Sequence, residues 1–188
     1  MMLVDVADGW GYLSTFSLED VDKASETYSI TAGEIESIKK LWEVYDRRSW
    51  SKHKFLRVAI DRLNYGLTRA RAEDRIIDYV VSLEAILLHD LQASDRGELR
   101  NRFALRGARL LGSSLGDRKG IFKDLRAAYD VRSAIVHGAT NLPLPKNTNV
   151  DDFVELVSTY LRTLIKTFLD YAETGAPVLV DWDNVLLS

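Results

Sequence analysis

Apolar side chains in this chain return every three or four residues, segment after segment, and that period is the signature of helices rather than strands. The first clear start is Thr31-Ala32-Gly33-Glu34, a threonine cap with glutamate three residues on, flanked by Ile30 and Ile35 as a hydrophobic staple. From there Ile35, Ile38, Leu41, Trp42 and Tyr45 keep the helical period. A second helix over about 53–71 carries Leu56, Ala59, Ile60, Leu63, Leu67 and Ala70. A third, about 73–89, carries Ile76, Ile77, Val80, Val81, Glu84, Leu87 and Leu88. A fourth, about 96–111, is expected to start from Ser94 or Asp95 as cap and to present Leu99, Phe103 and Leu110. A fifth follows the loop Gly112-Ser113-Ser114-Leu115-Gly116, with Asp117 as expected cap, Ile121, Leu125, Ala128 and Ile135 as stripe, and Gly138 as stop. A sixth, about 150–172, holds Phe153, Val157, Tyr160, Leu161, Leu164, Phe168 and Tyr171 before Gly175 and Pro177 end it. The reading is an all-α, up-and-down bundle of five to six helices. Residues 1–30 show no period, 31–175 form the helical domain, and 176–188 read as a short extended tail.

The chain has 188 residues, enough for one domain of ordinary size. No apolar stretch reaches membrane-spanning length, and the start, Met1-Met2-Leu3-Val4-Asp5, lacks a basic region leading into an apolar one. A soluble, cytoplasmic protein is the expectation. There is no cysteine, which excludes disulfides, thiolate nucleophiles and zinc sites built from sulfur. The sequence shows neither a metal-ligand cluster nor a phosphate-cradling glycine loop, so no metal and no cofactor is expected. Histidine chemistry is confined to His53, His89 and His137. His89 beside Asp90 reads as a surface or cap residue, and His53 sits in no motif.

A net charge of −3 conceals blocks of opposite sign. Residues 1–46 hold 3 basic and 10 acidic side chains, whereas 47–75 hold 9 basic and 3 acidic. The stretch 76–95 is −4, 96–132 has 10 basic against 4 acidic, and 133–188 is −4. The basic blocks are dominated by arginine, whose planar fork suits phosphate. Solvated helix faces would account for the same pattern.

Two places carry candidate chemistry. Glu84 puts a carboxylate on the apolar stripe of the third helix, and a buried charge is costly without a partner, so an arginine or backbone donors should face it. The fifth helix ends Tyr129-Asp130-Val131-Arg132-Ser133-Ala134-Ile135-Val136-His137-Gly138. His137 falls in the last turn, where the helix dipole favours a cation. Ser133, four residues earlier, shares its face and is within reach of a side-chain hydrogen bond. Arg132 lies five residues before His137, about 140° around the helix, so the pair must converge on a shared groove to act together.

Arg132-x4-His137 at the end of a late helix in an all-α bundle resembles the signature of the HEPN superfamily, and the nearest variety is the Apea-like HEPN domain. The likeness also rests on Asp78-x5-Glu84 within Ile-Ile-Asp-Tyr-Val-Val-Ser-Leu-Glu-Ala-Ile-Leu-Leu and on the arginine-rich run Glu98-Leu-Arg-Asn-Arg-Phe-Ala-Leu-Arg. It covers roughly residues 30–172. The resemblance implies a metal-independent endoribonuclease, in which two protomers bring their motifs together across a dimer cleft. Arg132 would hold the scissile phosphate, and His137 would act as general acid or base on the 2′-hydroxyl or the leaving 5′-oxygen. Ser133, Glu84 and Tyr129 would support them, while Arg100, Arg102, Arg106 and Arg126 would contact RNA. Products would carry 2′,3′-cyclic phosphate and 5′-hydroxyl ends, and the setting would be phage defence or stress response. Ser133 stands where many active members have Asn, Asp or His. Ala139 stands where the toxin branch modified on tyrosine has its Tyr, so that modification is not expected. Since Apea-like domains often end longer proteins, residues 1–30 read as the remnant of a preceding domain. Two other readings stay open: a non-catalytic module that binds RNA or a nucleotide, and a helical dimerisation domain serving a partner domain or protein.

Overall fold

The computed structural model describes residues 30–46, 53–91, 98–173, 182 and 185. Its regular elements are six helices: α1 (Ala32–Asp46), α2 (Lys54–Thr68), α3 (Ala72–Leu87), α4 (Leu99–Leu111), α5 (Leu115–Val136) and α6 (Val150–Glu173). The described residues contain no strand, and none of their helices is long and apolar enough to cross a membrane. Two compact units divide the chain, Met1–Lys40 and Leu41–Ser188, with the boundary inside α1.

In the first unit the start of α1 is capped as its sequence requires. The Thr31 N–H and hydroxyl both donate to the Glu34 carboxylate, at 2.7 and 2.8 Å, and the Glu34 N–H donates back to Thr31 Oγ1 at 3.3 Å. Ile30 and Ile35, expected as a staple, are both exposed. The side chains of Leu41 and Tyr45 lie outside the described residues.

The second unit is an all-helical bundle built around α3, which packs against α2, α4, α5 and α6. Ile76, Tyr79, Val80, Leu83, Ile86 and Leu87 of α3 are fully buried. They meet Leu56 of α2, Phe103 of α4, Leu125 of α5, and Phe153, Leu161 and Phe168 of α6 in one core. Two glycines let neighbouring helices approach closely. A Cβ on Gly66 of α2 would lie 2.3 Å from the Tyr79 ring, and one on Gly107 of α4 would lie 2.3 Å from Leu125 Cδ1 of α5. The α4–α5 hairpin is antiparallel, with Arg100 opposite Asp130, Phe103 opposite Tyr129 and Gly107 opposite Leu125.

Several boundaries differ from the sequence reading. Helix α2 stops at Thr68, where Arg69 turns to an extended conformation, so Ala70 lies beyond it and is exposed; Leu67, still within the helix, is exposed as well rather than on the buried stripe. Helix α4 starts at Leu99, with Glu98 at the cap position in the left-handed region (φ 58°); Ser94 and Asp95 lie outside the described residues. The cap of α5 is Ser114, not Asp117. Asp117 is its third helical residue and closes a capping box, its N–H donating to Ser114 Oγ and its carboxylate accepting from the Ser114 N–H. Of the tail only Trp182 and Val185 are described; both are helical, and Trp182 is buried. Tyr171, Gly175 and Pro177 fall outside the described side chains and residues.

Candidate active site at the end of α5

The last two turns of α5 hold Tyr129, Arg132, Ser133 and the capping His137, and α3 supplies the carboxylate opposite them. Arg132 Nη2 lies 3.6 Å from Glu84 Oε2, with both side chains half-buried. The arginine expected to face Glu84 is thus Arg132. At 3.6 Å the contact is an attraction of charges rather than a hydrogen bond. Burial pushes the Glu84 carboxyl above its ordinary range, and the Arg132 charge only partly offsets that rise. Arg132 Nε is buried without a hydrogen-bond partner among the described residues. Buried donors are paired in the great majority of folded structures, so an arginine in this state has donor capacity that the fold does not use.

Tyr129, one turn before Arg132, packs its ring against Phe103, with centroids 5.7 Å apart. Burial raises its hydroxyl above the ordinary tyrosine value, and the neighbouring Glu84 charge pushes the same way. The phenol therefore stays protonated beside the pair and can donate.

His137 sits at the C-cap, exposed, because the helix closes around it in a Schellman arrangement. Gly138 N–H donates to Ile135 O at 3.0 Å and Ala139 N–H to Ala134 O at 2.9 Å, with Gly138 at φ 74°. Only glycine takes that conformation without strain. The His137 backbone N–H donates to Ser133 O at 3.1 Å. No side-chain hydrogen bond joins Ser133 to His137 among the described residues, so the expected side-chain link is not made and the two share only the ordinary helical backbone bond. The structure therefore brings Glu84, Arg132 and Tyr129 together, and sets His137 one and a half turns further along the same helix, facing solvent.

The four arginines expected to meet RNA have different fates. Arg106 is buried: Nη1 and Nη2 donate to the two Asp90 oxygens at 2.6 and 2.9 Å, and Nη1 also donates to Leu87 O at 2.7 Å. Its guanidinium lies 4.2 Å from the centre of the Trp182 ring. Burial works against the Asp90 carboxylate, but the Arg106 hydrogen bonds and charge outweigh it and hold Asp90 below its usual range. Arg106 is thus a structural clamp, and its place on the face of Leu99, Phe103 and Leu110 was the signal available. Arg100 is paired with Asp130, Arg102 is exposed, and Arg126 lies over Phe122 at 5.6 Å. Sequence reasoning missed Lys119 and Lys123, which stand with Arg126 at i, i+4 and i+7 along one face of α5; that spacing was the signal available.

Asp78, the other acid of the Asp78-x5-Glu84 pattern, is fixed differently. It is 2% exposed and accepts from Arg62 Nη1 and Arg69 Nε, both at 3.0 Å. Among the described residues no group of three or more potential metal ligands is assembled.

Comparison of the chain with protein-family models, with curated proteins and with solved structures returns no match.

Proposed function

We propose that the protein is a metal-independent endoribonuclease of the HEPN type, acting through Arg132 and His137 at a site shared by two protomers. The observation that carries this reading is the state of Arg132: a half-buried guanidinium held only loosely by Glu84, its Nε unpartnered, on the same helix end as an exposed, glycine-closed His137. An arginine meant only to neutralise a core carboxylate would make hydrogen bonds to it, as Arg106 does to Asp90.

In this mechanism RNA supplies its own nucleophile. The 2′-oxygen attacks the adjacent phosphorus, its proton passes to a neutral imidazole, and the bond from phosphorus to the 5′-oxygen breaks as a protonated imidazole donates to that oxygen. The His137 rings of the two protomers can serve as base and acid. Arg132 stabilises charge gathering on the phosphoryl oxygens, where a pre-placed cation counts most. Glu84 orients Arg132 from behind, and protonated Tyr129 offers a further donor.

The test is RNA cleavage in EDTA on total RNA and a tRNA pool, comparing wild type with Arg132→Ala and His137→Ala. Cleavage lost in both variants, with 2′,3′-cyclic phosphate ends from wild type, is the expected result. A folded wild type that binds these RNAs without cutting them would replace this reading with a binding module. A wild type that neither binds nor cuts would leave the helical dimerisation domain.

A further inference from the structure

The closed end of the α4–α5 hairpin carries a groove of about 570 Å³. Its floor is apolar, with Leu105, Leu115 and Phe122, the two leucines being 44% and 68% exposed. Its walls are basic: Arg109 from α4, and Arg118, Lys119, Lys123 and Arg126 from α5. No carboxylate lines it. The acids of α5 are engaged elsewhere, Asp117 in the capping box, Asp124 accepting from the Tyr160 hydroxyl and Asp130 holding Arg100. Lys119, Lys123, Arg118 and Arg126 accordingly make no ion pair with any described residue. Arg126 Nε is buried without a hydrogen-bond partner, and its guanidinium lies over the Phe122 ring.

Exposed leucines beneath Arg118, Lys119, Lys123 and Arg126, four cations that no described carboxylate neutralises, call for a ligand with regularly spaced anions and flat apolar faces. A free anion would leave the floor unused, and a duplex hides its base faces. A single strand offers phosphates to the rim and bases to the floor, where arginine planes and aromatic rings are the usual stacking partners. The groove also shares α5 with Arg132. Lys123 precedes Arg132 by nine residues, about 13 Å along the helix axis, a span of a few nucleotides. We infer that this groove anchors a single-stranded stretch of the RNA away from the scissile phosphate. The inference rests on the RNA-cleaving reading but concerns a different surface.

The test measures binding by the full chain, with His137→Ala to prevent cleavage, using a short labelled single-stranded oligonucleotide and the same sequence as a duplex. Lys119→Glu with Lys123→Glu should weaken single-strand binding by about tenfold or more and flatten the salt dependence by roughly 1.4 in log–log slope, as expected for two lost phosphate contacts. A charge-matched control, Lys146→Glu with Lys166→Glu, both exposed and outside the groove, should change affinity by less than about twofold, since neither lysine would contact the bound strand and salt screens the rest. Leu115→Ser should weaken the single strand and leave any duplex affinity alone. Equal losses in the groove variant and the control would overturn the inference, as would unchanged affinity in both. So would an acidic amphipathic peptide that binds the groove and is not displaced by RNA. Because this assay scores binding and the EDTA assay scores cleavage, the groove and the active site fail separately.

Discussion

Two carboxylates on α3, six residues apart, have opposite relations to arginine. Six residues place them about 120° apart around the helix, so Asp78 faces the α2–α3 hairpin while Glu84 faces α5. Asp78 is nearly inaccessible and takes one hydrogen bond from each of two arginines at 3.0 Å. Glu84 is partly open, has one arginine at 3.6 Å, and its carboxyl is raised by burial. The first arrangement is closed: charge and hydrogen bonding are both satisfied within the fold. The second leaves an arginine with donors to offer. Arginine–carboxylate pairing therefore does not by itself mark a structural or a working residue; the number of hydrogen bonds made and the depth of the pair do.

The largest effect that would sharpen this contrast is on cleavage. Arg132→Ala or His137→Ala should each lower the rate by roughly 10²–10⁴, while the thermal midpoint of Arg132→Ala moves by only a few degrees. Retained cleavage in either variant would remove the working role from this end of α5. On stability the order reverses. Replacing Arg62 and Arg69 together by Met strands a buried carboxylate and should cost about 3–5 kcal/mol in urea unfolding, with each single substitution costing far less. The comparison breaks if that double variant is no less stable than Arg132→Ala.

A smaller cost is expected at Gly138. Alanine there must adopt φ near 74°, at about 1–2 kcal/mol, and the C-cap that displays His137 should fray. The readout is a cleavage loss larger than the stability loss explains; equal cleavage at full folding would show that the cap does not position the ring.

The smallest effect is in the pH dependence. Glu84 has a folded pKa raised above its ordinary 4.5, so the stability it contributes is complete below that value and is lost as pH rises through the raised one. Glu84→Gln cannot lose it. The stability of Glu84→Gln relative to wild type should therefore increase as pH rises from below 4.5 to above it. A difference that stays constant or shrinks over that range would mean that Arg132 compensates Glu84 fully and that the pair is as closed as Asp78.

Much of the fold was legible because helical period, caps and glycine stops are local signals. The Thr31–Glu34 box and the Gly138 closure were readable residue by residue. Misplaced boundaries came where a local rule met a competitor: Ser114 outcompeted Asp117 for the cap because Asp117 closes the box from the third position, and Arg69 left the helix early while bonding to Asp78. At the site, a carboxylate at Glu84 on an apolar stripe announced a need for a cation, but spacing carried no information on which of many arginines would meet it. Arg106 shows why. It shares a helix face with Leu99, Phe103 and Leu110, yet nothing in that spacing identifies Asp90, Leu87 and Trp182, brought in from other segments, as the groups it meets.

The amino-acid sequence by itself determined the helices, most of their ends, the block charge pattern and the motif Arg132-x4-His137, since each depends on residues within a turn or two. Tertiary structure alone decided which cations face solvent and which are internal. The packing of α3 against α2 closed Asp78 with two arginines. The packing of α3 against α5 left Arg132 short of a full set of partners, and the α4–α5 hairpin gathered Lys119, Lys123 and Arg126 around an apolar floor. The reason is that an arginine's role depends on the acceptors within a few ångströms of it, and these come from chain segments that the helical period cannot relate to one another.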